Sequence, residues 1–158
     1  MKGERLVAQA RVQAEAKNFE EAYELLLRAS AMGNSEAIYA TGTWYLHGIH
    51  VDQNIFKSVQ YFQSACRLNH PTACFDIAIC LENGEGIEKN AELAFEHYVK
   101  AALWGHKGSL FEVHRCLYYG IGTKENKDLA NIWLDRYNES QSTCMPPSPG
   151  KSESKKGK

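Results

Sequence analysis

Apolar side chains recur along most of this chain at intervals of three and four residues, and polar side chains fill the positions between them. That period is typical of amphipathic helices, each of which buries one face. No segment shows the alternation of apolar and polar residues, bounded by hairpin turns, that indicates a β-strand. The pattern predicts an all-α protein whose helices span residues 4–17, 19–32, 35–47, 54–68, 71–83, 90–104, 107–119 and 126–138.

The predicted helices belong to a repeating unit. Gly48, Gly84 and Gly120 lie 36 residues apart, and each begins a loop between two helices. Self-similarity at this period indicates a solenoid of stacked helical hairpins. The first hairpin carries Val12 at the corresponding position, so we expect it to be an atypical terminal unit. Residues 139–158 are rich in Ser, Pro, Gly and Lys, and we expect them to form a disordered tail.

Five segments carry a resemblance to the Sel1-like repeat family. The first helix and loop of that repeat are similar to AIYATGTWYLHGIHV, ACFDIAICLENGEGI and SLFEVHRCLYYGIGT, and the second helix is similar to SVQYFQSACRLNH and AFEHYVKAALWGH. The resemblance covers residues 19–138, and the first hairpin looks more like a tetratricopeptide unit. It implies a right-handed α/α superhelix that acts as an adaptor or scaffold, with no shared catalytic residues. The single domain, residues 1–138, would then consist of a capping hairpin at 4–33 and repeats at 34–70, 71–106 and 107–138.

Two departures from the repeat pattern bear on packing. His50 stands where the other two loops carry Gly86 and Gly122. His114 stands where the earlier repeats carry a small residue, such as Ala78. Because small residues let helices approach closely, we expect His114 to loosen or reshape the packing of the third repeat.

Composition and charge narrow the class of partner. The formal net charge is −1, whereas a nucleic-acid surface needs clustered Lys and Arg. No apolar run approaches the roughly 18 residues of a membrane-spanning helix, so direct membrane insertion is not expected. No secretory signal is visible at the N-terminus, which predicts a cytoplasmic protein. A periplasmic or secreted location stays open if a signal has been removed.

Cys66 and Cys74 leave two alternatives open. They are eight residues apart, at the end of one predicted helix and the start of the next, where a helical hairpin could bring them within disulfide range. The stretch ACRLNHPTAC also resembles the secreted, cysteine-rich branch of the family, which carries this spacing. Reduced packing is the favoured alternative, because the equivalent junctions hold ordinary pairs of a small and an apolar residue, Ser30 with Ile38 and Ala102 with Leu110.

The other cysteines have simpler interpretations. Cys80 and Cys116 share a repeat position with Trp44, which predicts core residues. Cys144 lies in the predicted tail. The chain contains five cysteines, and this odd number argues against a framework in which every cysteine forms a disulfide.

The sequence offers little for catalysis or for a cofactor. The histidines show no spacing typical of a structural zinc site, so neither metal nor cofactor is expected. His70 and His106 share a junction position and are expected to donate hydrogen bonds to helix-end carbonyls. No nucleophile elbow or oxyanion motif appears, which predicts a protein that is not an enzyme.

The remaining candidates lie on the first helix of each repeat, which in this family lines the concave face. Positions spaced i, i+4, i+7 and i+11 share one side of a helix. Those that vary between repeats are the candidate partner contacts: His47, Asp76, Asn83, Glu112, Arg115 and Tyr119. Tyr39, Phe75 and Phe111 flank this stripe, either as core residues, which is favoured, or as anchors for a bound peptide.

These patterns predict an adaptor or scaffold that binds another protein or peptide in its concave groove. A regulatory or immunity-type role in a bacterium is suggested by analogy with the family alone. Two alternatives remain: an enzyme or penicillin-binding protein like some cysteine-rich relatives, or an assembly factor stabilised by a Cys66–Cys74 disulfide.

Overall fold

A computed structural model describes residues 3–142, and over that range the chain is entirely helical apart from turns. Its eight helices are α1 (Glu4–Glu15), α2 (Phe19–Ala31), α3 (Ser35–His47), α4 (Ile55–Arg67), α5 (Pro71–Asn83), α6 (Ala91–Leu103), α7 (Lys107–Tyr119) and α8 (Lys127–Ser142). The predicted all-α class is confirmed. The last helix continues beyond residue 138, into the segment expected to be a tail, and the rest of that segment lies outside the described residues.

The helices stack as four consecutive hairpins. Each odd-numbered helix packs against the even-numbered helix that follows it, and each hairpin then packs against the next through α2 with α3, α4 with α5, and α6 with α7. Packing of each hairpin against the next one along the chain is typical of a solenoid. Ala37, Ala73 and Ser109, which lie 36 residues apart, are all completely buried, so the 36-residue period also holds for small residues of the core.

Glycines shape the loop inside each repeat. Gly48, Gly84 and Gly120 end α3, α5 and α7 with left-handed backbones, which a residue without Cβ adopts at little cost. A Cβ on Gly122 would overlap the backbone carbonyl of Ala91, so this loop lies directly against the start of α6.

His50 adopts a left-handed backbone, with φ of 60°, at the position where later repeats use glycine. Its ring lies against Tyr23 and Trp44, with centroid distances of 5.6 and 6.4 Å. The first loop therefore keeps the turn of the other repeats in spite of the missing glycine.

The junction residues are helix N-caps. The Asn34 side chain accepts a hydrogen bond from the backbone N–H of Ala37, in the first turn of α3. His70 and His106 do the same for α5 and α7, accepting from the backbone N–H of Ala73 and Ser109. The prediction that they bond helix-end carbonyls was wrong, because each one begins a helix whose first amides lack partners of their own.

His114 is accommodated by a new bond across the last hairpin. Its Nδ1 lies 3.0 Å from the backbone carbonyl oxygen of Ala130, on α8. Ala78, at the equivalent position in α5, is completely buried and supplies no such polar contact. The larger side chain thus reshapes this contact, as expected, and joins α7 to α8 by a hydrogen bond.

Candidate partner-binding groove

A groove of about 290 Å³ lies between α3 and α5, on the side predicted to be concave. It contains two of the predicted contact residues, His47 and Asp76. The full lining is Tyr39, Thr43, Leu46, His47, Phe62, Asp76, Ile79, Cys80 and Glu85.

The floor of this groove is apolar and its edge is polar. Phe62 and Cys80 are buried at the bottom, and Ile79 is partly exposed above them. His47 and Glu85 are exposed at the edge. An apolar centre with a polar rim is the usual anatomy of a protein–protein interface.

Tyr39 and Asp76 form a polar pair across the groove. The Tyr39 hydroxyl donates to Oδ2 of Asp76 at 3.0 Å, which connects α3 to α5. Burial raises the pKa of Tyr39 to about 12, and the neighbouring Asp76 carboxylate adds to the effect. Burial also raises the pKa of Asp76, although the hydrogen bond from Tyr39 opposes that shift. The pair therefore holds a carboxylate in a fixed orientation beside the apolar floor.

The three repeated aromatic residues act mainly in packing. Tyr39 stacks on the N-cap His70 with centroids 4.6 Å apart, and Phe75 packs on His106 at 4.2 Å. Phe111, in the last repeat, packs on Tyr137 at 5.5 Å. Tyr39 and Phe75 are partly buried against the core, in line with the favoured core role, whereas Phe111 is 41% exposed and does not belong to the core. Tyr39 is the one of the three that also lines the groove.

Glu112 and Arg115 belong to an internal network. Arg115 Nη2 lies 2.8 Å from both carboxylate oxygens of Glu82, and its Nε lies 2.7 Å from Glu112. The Tyr98 hydroxyl also donates to Glu82, at 2.8 Å. The network joins α5, α6 and α7, so it supports the stack where the sequence predicted partner contacts.

The pKa shifts of Glu82 and Arg115 show that their charged forms stabilise each other in this network. Burial acts to raise the pKa of Glu82, but hydrogen bonds from Arg115 and Tyr98 outweigh it, so that pKa lies below its ordinary value. At Arg115, burial acts to lower the pKa of the guanidinium, but the hydrogen bonds to Glu112 and Glu82 outweigh it. The pKa of Arg115 therefore lies above its ordinary value. Sequence reasoning missed Glu82 and Tyr98, because no local pattern indicates which polar side chains on different helices will meet.

His47, Asn83 and Tyr119 form a row along one edge of the solenoid, which we call the edge row. They are the last residues of α3, α5 and α7, 36 residues apart, and all three are exposed. Asn83 donates to Glu85 at 3.3 Å. Tyr119 is 68% exposed, which makes it the largest aromatic surface of the edge row.

The structure joins Cys66 and Cys74 by a disulfide, with the two Cα atoms 4.8 Å apart. The free-thiol alternative favoured from the sequence does not hold in this structure, because the end of α4 and the start of α5 approach closely enough for a bond. Cys80 and Cys116 are buried, as predicted, and burial raises the pKa of each thiol to about 11. Both thiols are therefore protonated at neutral pH and are poor nucleophiles.

The profile of the Sel1 repeat matches four segments of the chain, residues 14–34, 35–70, 71–106 and 110–136. The chain belongs to the Sel1 repeat family. The first Sel1 match begins inside the hairpin that the sequence assigned to a tetratricopeptide-like cap. Proteins built from Sel1 repeats typically serve as scaffolds for protein–protein interaction.

Three solved structures share the Sel1 solenoid. A Sel1 repeat protein from Oxalobacter formigenes is 22% identical, with a TM-score of 0.82 over 87% of this chain and 58% of its own. The protective antigen c5321 of uropathogenic Escherichia coli is 20% identical, with a TM-score of 0.74 over 89% of this chain and 33% of its own. Cysteine rich protein B of Helicobacter pylori is 23% identical, with a TM-score of 0.57 over 72% of this chain and 86% of its own.

These likenesses concern the fold. This Sel1 chain spans little more than half the length of the first of the three structures and a third of the second. No curated protein sequence matches it. No helix within residues 3–142 is both long and apolar enough to cross a membrane.

Proposed function

We propose that this protein is a non-catalytic scaffold that binds a segment of a partner protein in the groove between α3 and α5. The observation that carries the proposal is the combination of an apolar floor with a fixed carboxylate, Asp76, on the face lined by the first helices. The typical role of Sel1 repeats in protein–protein interaction supports it.

The dimensions and charges of the groove favour a particular kind of segment. Its volume of about 290 Å³ falls at the lower limit for small-molecule pockets, which suits one or two apolar side chains better than a cofactor. Asp76 and Glu85 place two carboxylates beside the floor. The expected segment therefore presents an apolar anchor next to Lys or Arg.

The edge row extends the proposed contact surface beyond the groove. His47 belongs to both, and Asn83 and Tyr119 continue the row over the next two repeats. We assign Tyr119 a direct contact, since exposed aromatic residues are frequent anchors in interfaces. Glu112 and Arg115 support this surface from within the stack, through their bonds to each other and to Glu82.

The test is selection of peptides from a random display library against the full chain. We expect enriched peptides to combine an apolar residue with a basic one, because the groove offers a hydrophobic floor and two carboxylates. Replacing Ile79 by Lys introduces a cation into the floor and should weaken binding of those peptides by at least about tenfold.

Phe56→Lys is the matched control, because Phe56 is 71% exposed on α4 and outside the lining of the groove. The Phe56→Lys chain should bind the selected peptides with unchanged affinity. Circular dichroism should show equal helicity for the Phe56→Lys and Ile79→Lys chains. Equal affinity for Ile79→Lys and the unmodified chain would place the binding surface elsewhere.

A further inference from the structure

A histidine lies beside the disulfide. Nδ1 of His97, on α6, is 3.5 Å from Sγ of Cys66, which is bonded to Cys74. The ligating atoms of these three residues all lie within 4.8 Å of one another. Two sulfurs and an imidazole nitrogen are ligands that zinc prefers in proteins.

The three residues depart together from the repeat pattern. At the positions 36 residues before and after them, the chain carries side chains that are not typical zinc ligands. Cys66 corresponds to Ser30 and Ala102, Cys74 to Ile38 and Leu110, and His97 to Tyr61 and Trp133. Packing in the other repeats is therefore achieved without these side chains, and all three meet at a single junction.

We propose that Cys66, Cys74 and His97 bind one Zn²⁺ ion after a dithiol reductant has opened the disulfide. In the first step the reductant supplies two electrons and two protons, becomes a disulfide itself, and leaves Cys66 and Cys74 as thiols. In the second step Zn²⁺ forms two bonds to sulfur and displaces both thiol protons to solvent. Nδ1 of His97 contributes its lone pair, and water completes the fourth position.

The observed spacing suits such a site. Tetrahedral zinc with ordinary bond lengths separates a sulfur from a nitrogen ligand by about 3.6 Å, close to the 3.5 Å between Cys66 Sγ and His97 Nδ1. The two sulfurs would have to separate to about 3.8 Å, and the Cys74 sulfur would have to approach the imidazole from as much as 4.8 Å to about 3.6 Å. Rotation of the two cysteine side chains supplies both movements. Two thiolates also balance the charge of the ion.

Solvent reaches the site from a neighbouring cavity. A pocket of about 230 Å³ opens onto Cys66 and His97 and is lined further by Gln63, Arg67, Lys100 and Trp104. It gives the reductant and the ion a way in and leaves room for a water ligand. The junction of α4 and α5 would then be held by a covalent bond under oxidising conditions and by the metal under reducing ones.

Zinc titration of the full chain tests this inference. The protein is reduced with a phosphine, which does not compete strongly for zinc, and is titrated with Zn²⁺ without oxygen against a chromogenic zinc chelator. We expect one tightly bound ion per reduced chain and none per oxidised chain. Co²⁺ in place of Zn²⁺ should give the sulfur charge-transfer and visible bands of a tetrahedral site.

His97→Tyr is the critical variant, because Tyr61 occupies that position in the preceding repeat. Loss of the imidazole should weaken zinc binding roughly tenfold or more. If this variant has reduced helicity, His97→Gln takes its place. A control chain with Cys80, Cys116 and Cys144 replaced by Ala should retain full affinity, since its remaining thiols are the proposed ligands.

Three outcomes would overturn the inference. They are failure of the reduced chain to bind Zn²⁺, equal affinity in the His97 variant, and equal binding by the oxidised chain. The last two would assign the metal to thiols alone or to surface groups.

Discussion

Single positions can be compared between repeats within this one chain. Ser58, Ala94 and Ala130 occupy equivalent positions, and all three are buried. The Ser58 hydroxyl finds no hydrogen-bond partner within residues 3–142. Burying a polar group without a partner is unfavourable, so Ser58 is a local defect in a position where the other repeats use alanine.

Replacing Ser58 by Ala should raise the free energy of unfolding by about 1 kcal/mol, because the unpaired hydroxyl is removed from the core. Urea denaturation followed by circular dichroism measures the change. Ser64→Ala is the control on the same helix, since Ser64 is exposed and its hydroxyl donates to Gln60. A loss of stability in Ser58→Ala would show that the hydroxyl is bonded, for example to a buried water.

Pairs of helices are connected by polar contacts as well as by apolar packing. The clearest case is the network in which Arg115 and Tyr98 both bond to Glu82. The side chains of Glu82 and Arg115 are only 25% and 27% exposed, so solvent screens their interaction less than that of a surface pair. This network therefore contributes to the relative placement of α5, α6 and α7.

Glu82→Gln should lower the free energy of unfolding by about 2 kcal/mol at pH 7, since it removes a charged hydrogen-bonded group. The pKa of Glu82 is lower in the folded chain than in the unfolded one, so its stabilising effect exists above the ordinary carboxyl range. The stabilisation by Glu82 is lost as the pH falls through the pKa that this carboxyl has in the folded chain.

The difference in unfolding free energy between Glu82→Gln and the unmodified chain should thus shrink progressively as the pH falls below the ordinary carboxyl range, as measured by urea denaturation across a pH series. Glu88→Gln, at an exposed loop position, should show little difference at any pH. A gap between Glu82→Gln and the unmodified chain that persists at low pH would contradict an electrostatic origin.

Within residues 3–142 the main contacts of each hairpin are with the hairpins next to it, so the stability of the stack depends on these junctions. The Cys66–Cys74 disulfide lies at the central junction, between the hairpin of α3 and α4 and that of α5 and α6. The same junction carries the N-cap His70, which also bonds Glu36 on α3 at 3.0 Å. Covalent and polar links thus reinforce the place where two halves of the solenoid meet.

Reduction of the disulfide should lower the free energy of unfolding of the unmodified chain by about 2.5 kcal/mol. This is the contribution expected from the loop-closure entropy of the unfolded chain for a loop of this length. Thermal unfolding with and without reductant tests it, in the presence of a chelator that keeps metal ions away. The Cys66→Ala/Cys74→Ala variant should not respond to reductant. An unmodified chain that melts identically in both conditions would show that the bridge contributes nothing to the stability of the fold.

Local patterns predicted most of the fold. The apolar period located the eight helices of residues 3–142, and the loop glycines marked the ends of α3, α5 and α7, because these signals act within a few residues of the chain. The 36-residue period then implied the stacked arrangement, since a hairpin with an apolar face must bury it against a neighbour. It also placed His47 and Asp76 on the face that carries the groove.

Contacts between repeats were decided by the tertiary structure. Tyr39 with Asp76, Glu82 with Arg115, and Cys66 with His97 join residues that are 37, 33 and 31 positions apart. Helical periodicity specifies which side chains share a face of one helix, but the angle and offset between hairpins determine which polar groups meet across them. For that reason the sequence predicted Arg115 to be a partner contact, and the folded chain engages it with Glu82.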